Sequence, residues 1–152
     1  DINGYTRLHT WVDQTIEANW GYWHSGIKAK KYTTDDMFKF IETGINLNAK
    51  TDEGKTALHL LIDSETINVE AINMLISNGA DLNLADDDKN TPLYLTASLE
   101  SKAAPELVKT LLIAGAEPNS INEYEDTPWE AAEKNEYLIG TDAYWMLHDA
   151  RF

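Results

Sequence analysis

The sequence predicts an all-α fold in which pairs of short helices recur along the chain and stack on one another. Three observations carry that prediction. Segments GKTALHLLID from Gly54, KNTPLYLTAS from Lys89 and EDTPWEAAEK from Glu125 place Thr56, Thr91 and Thr127 at spacings of 35 and 36 residues, and GYTRLHTWVD opens the same pattern at Gly4. A second marker, GINLN, GADLN and GAEPN, begins at Gly44, Gly79 and Gly115, again 35 and 36 apart. Between the markers, apolar residues recur at helical spacing. Two independent markers sharing one period are the signature of a repeat architecture.

The elements follow in order within each unit. After the threonine comes a short helical run, as in Leu58, Leu61 and Ile62. A polar gap leads to a second amphipathic run, Ile72, Leu75 and Ile76 in one unit and Val108, Leu111 and Leu112 in the next. That run stops at a glycine placed to take the left-handed C-terminal position of a helix. Neither helix buries its apolar face alone, so the units must stack.

The first unit is longer than the others. From threonine to terminal glycine takes 23 residues in the second unit and 24 in the third, but 38 in the first, from Thr6 to Gly44. An insertion of roughly 15 residues between its helices is implied, on the repeat logic of a fixed period. Leu8, Trp11, Val12 and Ile16 extend the first helical face, and Thr33 or Thr34 before Asp35 and Asp36 is an N-cap signal for the second helix. The insertion, 17–33, holds NWGYWHSG with Trp20, Tyr22 and Trp23. Two readings apply to these rings. The favoured one is a lid over the apolar edge of the first unit, since end repeats are atypical; the other is a second partner contact flanked by Lys28, Lys30 and Lys31.

TRLH at 6–9, TALH at 56–59, TPLY at 91–94, GADLN at 79–83 and the Asp1-x-x-Gly4-x-Thr6 turn together resemble the ankyrin-repeat family. The resemblance covers the chain as one domain, 1–152, with repeats at about 1–50, 51–85, 86–121 and 122–152, the last a C-terminal cap. It implies a solenoid of antiparallel helix pairs joined by β-hairpin-like fingers, with a concave binding face, and a structural hydrogen-bonding role for His9 and His59. The departures are specific. The glycine two residues before the threonine is kept as Gly4 and Gly54 but replaced by Lys89 and Glu125. Keeping left-handed geometry there costs roughly 1–2 kcal/mol per residue. In the last repeat Trp129 and Glu130 stand where leucine and histidine are usual.

Charge narrows the partners. With 26 acids against 12 bases the net charge is −14, which argues against nucleic acid, because phosphate binding needs a basic footprint. The acidity gathers in residues 81–142, with 14 acids and 4 bases, while 143–152 is neutral. At the expected finger tips and just beyond them stand Asp52, Glu53, Asp87, Asp88, Glu123, Tyr124, Glu125 and Asp126. Carboxylates steer association and an exposed aromatic supplies contact energy, so these eight are the candidate partner-binding residues.

Chemistry is not expected. No phosphate loop, nucleophile elbow or HExxH motif is present. The chain has no cysteine, hence no thiolate nucleophile or thiolate metal site. Asp86, Asp87 and Asp88 lack the spaced ligands and distal glutamate of a calcium loop, and the 4 histidines lack metal-ligand spacing. The expectation is a non-catalytic protein without metal or cofactor. It has no membrane span, works in the cytoplasm, is monomeric when alone, and binds and masks a basic protein partner. The resemblance adds a sharper form, an immunity protein that neutralises a bacterial toxin. The competing expectation is a scaffold or targeting fragment of a larger protein that recruits a peptide or protein.

Overall fold

A computed structural model of the chain describes residues 34–65 and 67–152. The insertion with Trp20, Tyr22 and Trp23, the turn at Gly4, and His9 lie outside the described residues. The described residues form seven helices and no strand. The chain divides into two units, residues 1–80 and 81–152.

In the first unit, α1 (Thr34–Glu42) and α2 (Ala57–Ile62) both pack on α3 (Val69–Ser77). Met37, Leu58, Leu61, Ile62, Ile72 and Leu75 are fully buried among them, each worth about 1.5–3 kcal/mol of transfer free energy. The start of α1 at Thr34 agrees with the expected N-cap region. Helix α3 is capped by Asn68, whose side chain accepts from the Ala71 N–H, and ends as its glycine foretells. Gly79 takes φ 85°, its N–H donates to the Ile76 carbonyl, and the Ala80 N–H donates to that of Leu75. Those two bonds satisfy carbonyls that the helix leaves without partners.

In the second unit, α4 (Pro92–Ser98) pairs with α5 (Ala104–Ile113), and α6 (Pro128–Glu133) with α7 (Asp142–Asp149). First helix packs on first helix, α4 on α6, and second on second, α5 on α7, which is the stacking of a helical repeat. Leu93, Leu107, Val108, Leu111, Leu138 and Leu147 fill the core, with Ala97, Ala104, Ala132 and Ala143 letting backbones approach. Proline at the first position of α4 and α6 presets the helical φ without wasting a donor. The Gly115 and Ala116 N–H groups repeat the α3 ending on Leu112 and Leu111.

The threonine of each of the last three repeats opens its helix, with a partner that varies. In α2 the Thr56 N–H donates to His59 Nδ1 at 3.2 Å, and Thr56 Oγ1 lies 2.8 Å from the same nitrogen. His59 is buried, so its role is the structural one expected. In α4 the Tyr94 N–H donates to Thr91 Oγ1. In α6 Glu130 replaces the histidine: its Oε2 accepts from the Thr127 N–H at 2.6 Å and hydroxyl at 2.8 Å, and its own N–H donates back to Thr127 Oγ1. This is a capping box. The departure from TALH to TPWE therefore conserves the function of the position with different chemistry.

Asn135 joins the two repeats of the second unit. Its side chain is buried, and Nδ2 donates to the carbonyls of Ala97 at 2.8 Å and Leu99 at 2.9 Å while Oδ1 accepts from the Tyr137 N–H. It thus caps the end of α4 from the following repeat.

Candidate functional site

The fingers are built by one turn used three times. Thr51 exchanges backbone hydrogen bonds with Lys55 and Gly54, its N–H donating to Lys55 and its carbonyl accepting from Gly54. Asp86 does the same with Asn90 and Lys89, and Asn122 with Asp126 and Glu125. The side chain of the first residue closes the turn from within. Thr51 Oγ1 accepts from the Glu53 and Lys55 N–H groups, Asp86 Oδ1 from the Asn90 N–H at 2.8 Å, and Asn122 Oδ1 from the Tyr124 and Asp126 N–H groups. The fourth residue must be left-handed. Gly54 has φ 73°, and Lys89 and Glu125 keep that geometry at φ 62° and 65°, as their alignment with the glycine predicts. Each therefore carries the steric cost of a Cβ in that region.

Because the turn is held at its base, the tip side chains are left facing water. Asp52, Glu53, Asp87, Asp88, Glu123, Tyr124 and Glu125 are exposed, and Asp126 is half-buried. In the second unit the two tips are tied directly: the Glu123 N–H donates to the Asp88 carbonyl at 3.0 Å, and Asn122 Nδ2 donates to Asn90 Oδ1. The structure thus brings Asp87, Asp88, Glu123, Tyr124, Glu125 and Asp126 together. Asp52 and Glu53 occupy the same turn in the first unit.

Tyr124 is 75% exposed. A hydrogen bond with the Glu123 carboxylate, reinforced by the negative charges of Glu123 and Asp88, holds its phenol above the ordinary tyrosine range. The hydroxyl is therefore a donor kept protonated among carboxylates, with Tyr94 also within its electrostatic reach.

Ion pairing divides the eight candidates. Lys55 Nζ lies 3.8 Å from Glu53 and 3.0 Å from Asp63, and Lys134 Nζ lies 3.7 Å from Asp126. Asp87, Asp88, Glu123 and Glu125 make no ion pair among the described residues. Asp86, which the sequence groups with its two neighbours, is buried, and its two oxygens accept from the Asn90 backbone and amide. It is turn scaffold. Among the described residues no three His, Asp or Glu side chains converge as a metal site, and no helix is long and apolar enough to cross a membrane.

Sequence reasoning missed the anchors Thr51, Asp86 and Asn122. Their signal was present, a polar residue recurring at 35 and 36, but hidden by its changing identity. Asn135 was missed too, and no periodic partner marks it.

Helix pairs stacked first on first and second on second, joined by tight turns, define a helical repeat protein. A family model described as "Ankyrin repeats (3 copies)" matches residues 27–122, and the chain belongs to the ankyrin-repeat family. The turn at 122–126 and the α6–α7 pair continue the pattern beyond that match. "Intracellular phospholipase A2" of Caenorhabditis elegans is 34% identical over 91 residues, covering 58% of this chain and 8% of that protein. "Protein fem-1 homolog A" of Danio rerio is 28% identical over 100 residues, 59% of this chain and 16% of that one. "Ankyrin repeat-containing protein P1E11.10" of Schizosaccharomyces pombe is 31% identical over 74 residues, 49% of this chain and 35% of that one. The chain spans well under two thirds of each relative, so the likeness is one between repeats. Ankyrin repeats are protein–protein interaction modules, and the family is generally non-catalytic.

Proposed function

We propose that the chain is a non-catalytic module, one ankyrin-repeat domain over 1–152, that binds a basic protein in the cytoplasm and masks its basic surface through the finger tips. One observation carries this reading. Asp87, Asp88, Glu123 and Glu125 make no ion pair among the described residues and stand near an exposed tyrosine, while Glu53 is paired with Lys55 and Asp126 with Lys134. An unpaired acidic surface steers a basic partner and sets its orientation, and Tyr124 offers rigid contact area at low entropic cost. Asp52 and Glu53 extend the same chemistry on the first unit, and Asp126 contributes once its pair with Lys134 opens. Neutralisation of a basic toxin is the sharper form of the same reading and rests on these charges together with the sequence resemblance.

The test is affinity capture from the native source with the wild-type chain and with Asp88→Lys/Glu123→Lys. A basic protein retained by the first, lost by the second and released by salt is expected. A partner bound equally by both sinks the finger reading. The second reading, a recruiting fragment of a larger protein, is favoured by the relatives, which are far longer than their matched parts. It calls for modest affinity toward short peptides in place of one tight complex.

The aromatic insertion, outside the described residues, is assigned to capping. Trp20→Ala and Trp23→Ala are then expected to lower the melting temperature before they weaken binding. An unchanged melting temperature with binding abolished would make it a contact site.

A further inference from the structure

The dipeptide Asn78–Gly79, which closes α3, is chemically reactive in an unstructured chain. The Gly79 backbone nitrogen attacks the Asn78 side-chain carbon Cγ, a C–N bond forms, and Nδ2 leaves as ammonia, giving a five-membered succinimide. Water then opens that ring at either carbonyl, to aspartate with the original backbone or to isoaspartate with the backbone rerouted through Cβ. Glycine makes the first step fast, because no Cβ shields its nitrogen and its backbone rotates freely. The same position in the neighbouring repeats holds Thr43–Gly44 and Ala114–Gly115, with the same left-handed glycine. The fold therefore demands the glycine and not the amide.

Three features of the closed helix end oppose the reaction. Ring closure needs the Gly79 nitrogen brought alongside the Asn78 Cβ, but Asn78 has φ −97° and ψ 13°, which turns that nitrogen well past a right angle away. The Gly79 N–H, whose proton must leave, donates to the Ile76 carbonyl at 3.1 Å. The Asn78 amide is drawn back along the helix, Nδ2 donating to the Met74 carbonyl at 2.9 Å. Both residues are exposed, so water reaches them and geometry alone restrains the step.

We propose that Asn78 is a modification site held off by its own helix end: deamidation proceeds only while the end of α3 is open, and its isoaspartyl product keeps it open. The second half follows from the product. An extra backbone atom between the Asn78 Cα and Gly79 puts out of register the bonds from Gly79 to Ile76 and from Ala80 to Leu75 that close the helix. Opening breaks those two bonds and the amide's, each modest in net worth, so the closed state should slow deamidation roughly ten- to hundredfold. The reaction thus leaves a covalent record of opening at one position.

Incubation of the intact chain at mildly alkaline pH, with and without guanidinium chloride, tests this. Peptide mapping by tandem mass spectrometry locates the conversion, and an isoaspartate-specific methylation assay identifies the product. Residue 78 is expected to convert readily in denaturant and roughly ten- to hundredfold more slowly without it. Fragment masses separate it from Asn3–Gly4, the other such dipeptide, which lies outside the described residues. Ala114→Asn places the same dipeptide at the end of α5, where Gly115 has φ 96° and donates to the Leu112 carbonyl, and protection of a similar degree is expected there. The isoaspartyl fraction, separated by ion exchange, should melt below the unreacted chain, whereas Asn78→Asp, which keeps the backbone intact, should melt close to it. Equal rates with and without denaturant, no conversion at 78 in denaturant, an Ala114→Asn chain that reacts at 114 as fast folded as unfolded, or an isoaspartyl chain as stable as the unreacted one overturns the proposal.

Discussion

Replacing Lys89 and Glu125 by glycine should stabilise the protein. Both residues hold left-handed backbone, φ 62° and 65°, where a Cβ costs about 1–2 kcal/mol relative to glycine. Glycine returns part of that gain by enlarging the unfolded ensemble, about 0.4–1 kcal/mol. The net is about 0.8 kcal/mol per site, and about 1.6 kcal/mol for the pair if they add. For a chain of this length that corresponds to roughly 3–6 °C in melting temperature. The pair is informative because one substitution removes a cation and the other an anion, leaving net charge unchanged. Urea denaturation monitored by circular dichroism measures the difference directly. The control is Gly79→Ala: φ is 85° and nothing lies within 4 Å of the added Cβ, so only backbone strain is introduced, and destabilisation should follow. A neutral or less stable Lys89→Gly/Glu125→Gly protein would refute the assignment of strain to these turns.

Other outcomes follow from the same geometry. Asn135→Ala leaves the Ala97 and Leu99 carbonyls without their donor and should cost about 1–3 kcal/mol, read as a lower urea midpoint. Glu130 is held below the usual carboxylate range by its bonds to the Thr127 backbone and hydroxyl. A lowered folded pKa means its contribution is present above the ordinary glutamate range and lost as pH falls through the lowered value. Glu130→Ala should therefore melt earlier at neutral pH, with the gap to wild type closing in acid. Tyr124→Phe should remove a phenol that titrates later than ordinary tyrosines in an ultraviolet pH titration, with melting unchanged; an unaltered titration curve would show that the Glu123 bond does not form.

Much of the fold was legible because a repeat states its rules more than once. Thr56, Thr91 and Thr127 opened helices, and Gly79 and Gly115 closed them, because cap geometry depends on a few residues in sequence. The left-handed Lys89 and Glu125 were readable only by alignment with Gly54, since nothing local in either residue demands that backbone. The site was legible in outline. Sequence placed the acids at the tips, but not which of them are neutralised by Lys55 and Lys134, nor that Asp86 turns inward. Those facts depend on side-chain direction, which spacing does not record.

The recurring turn separates two kinds of position. Thr51, Asp86 and Asn122 hold the loop from its base with their side chains and backbone, while the residues one and two places further on, Asp52 and Glu53, Asp87 and Asp88, Glu123 and Tyr124, contribute their side chains to no bond that closes the turn. The tips are consequently interchangeable cassettes. A new pair of residues there alters what the surface meets without renegotiating how the chain folds, so this scaffold could trade one partner for another in steps of two residues.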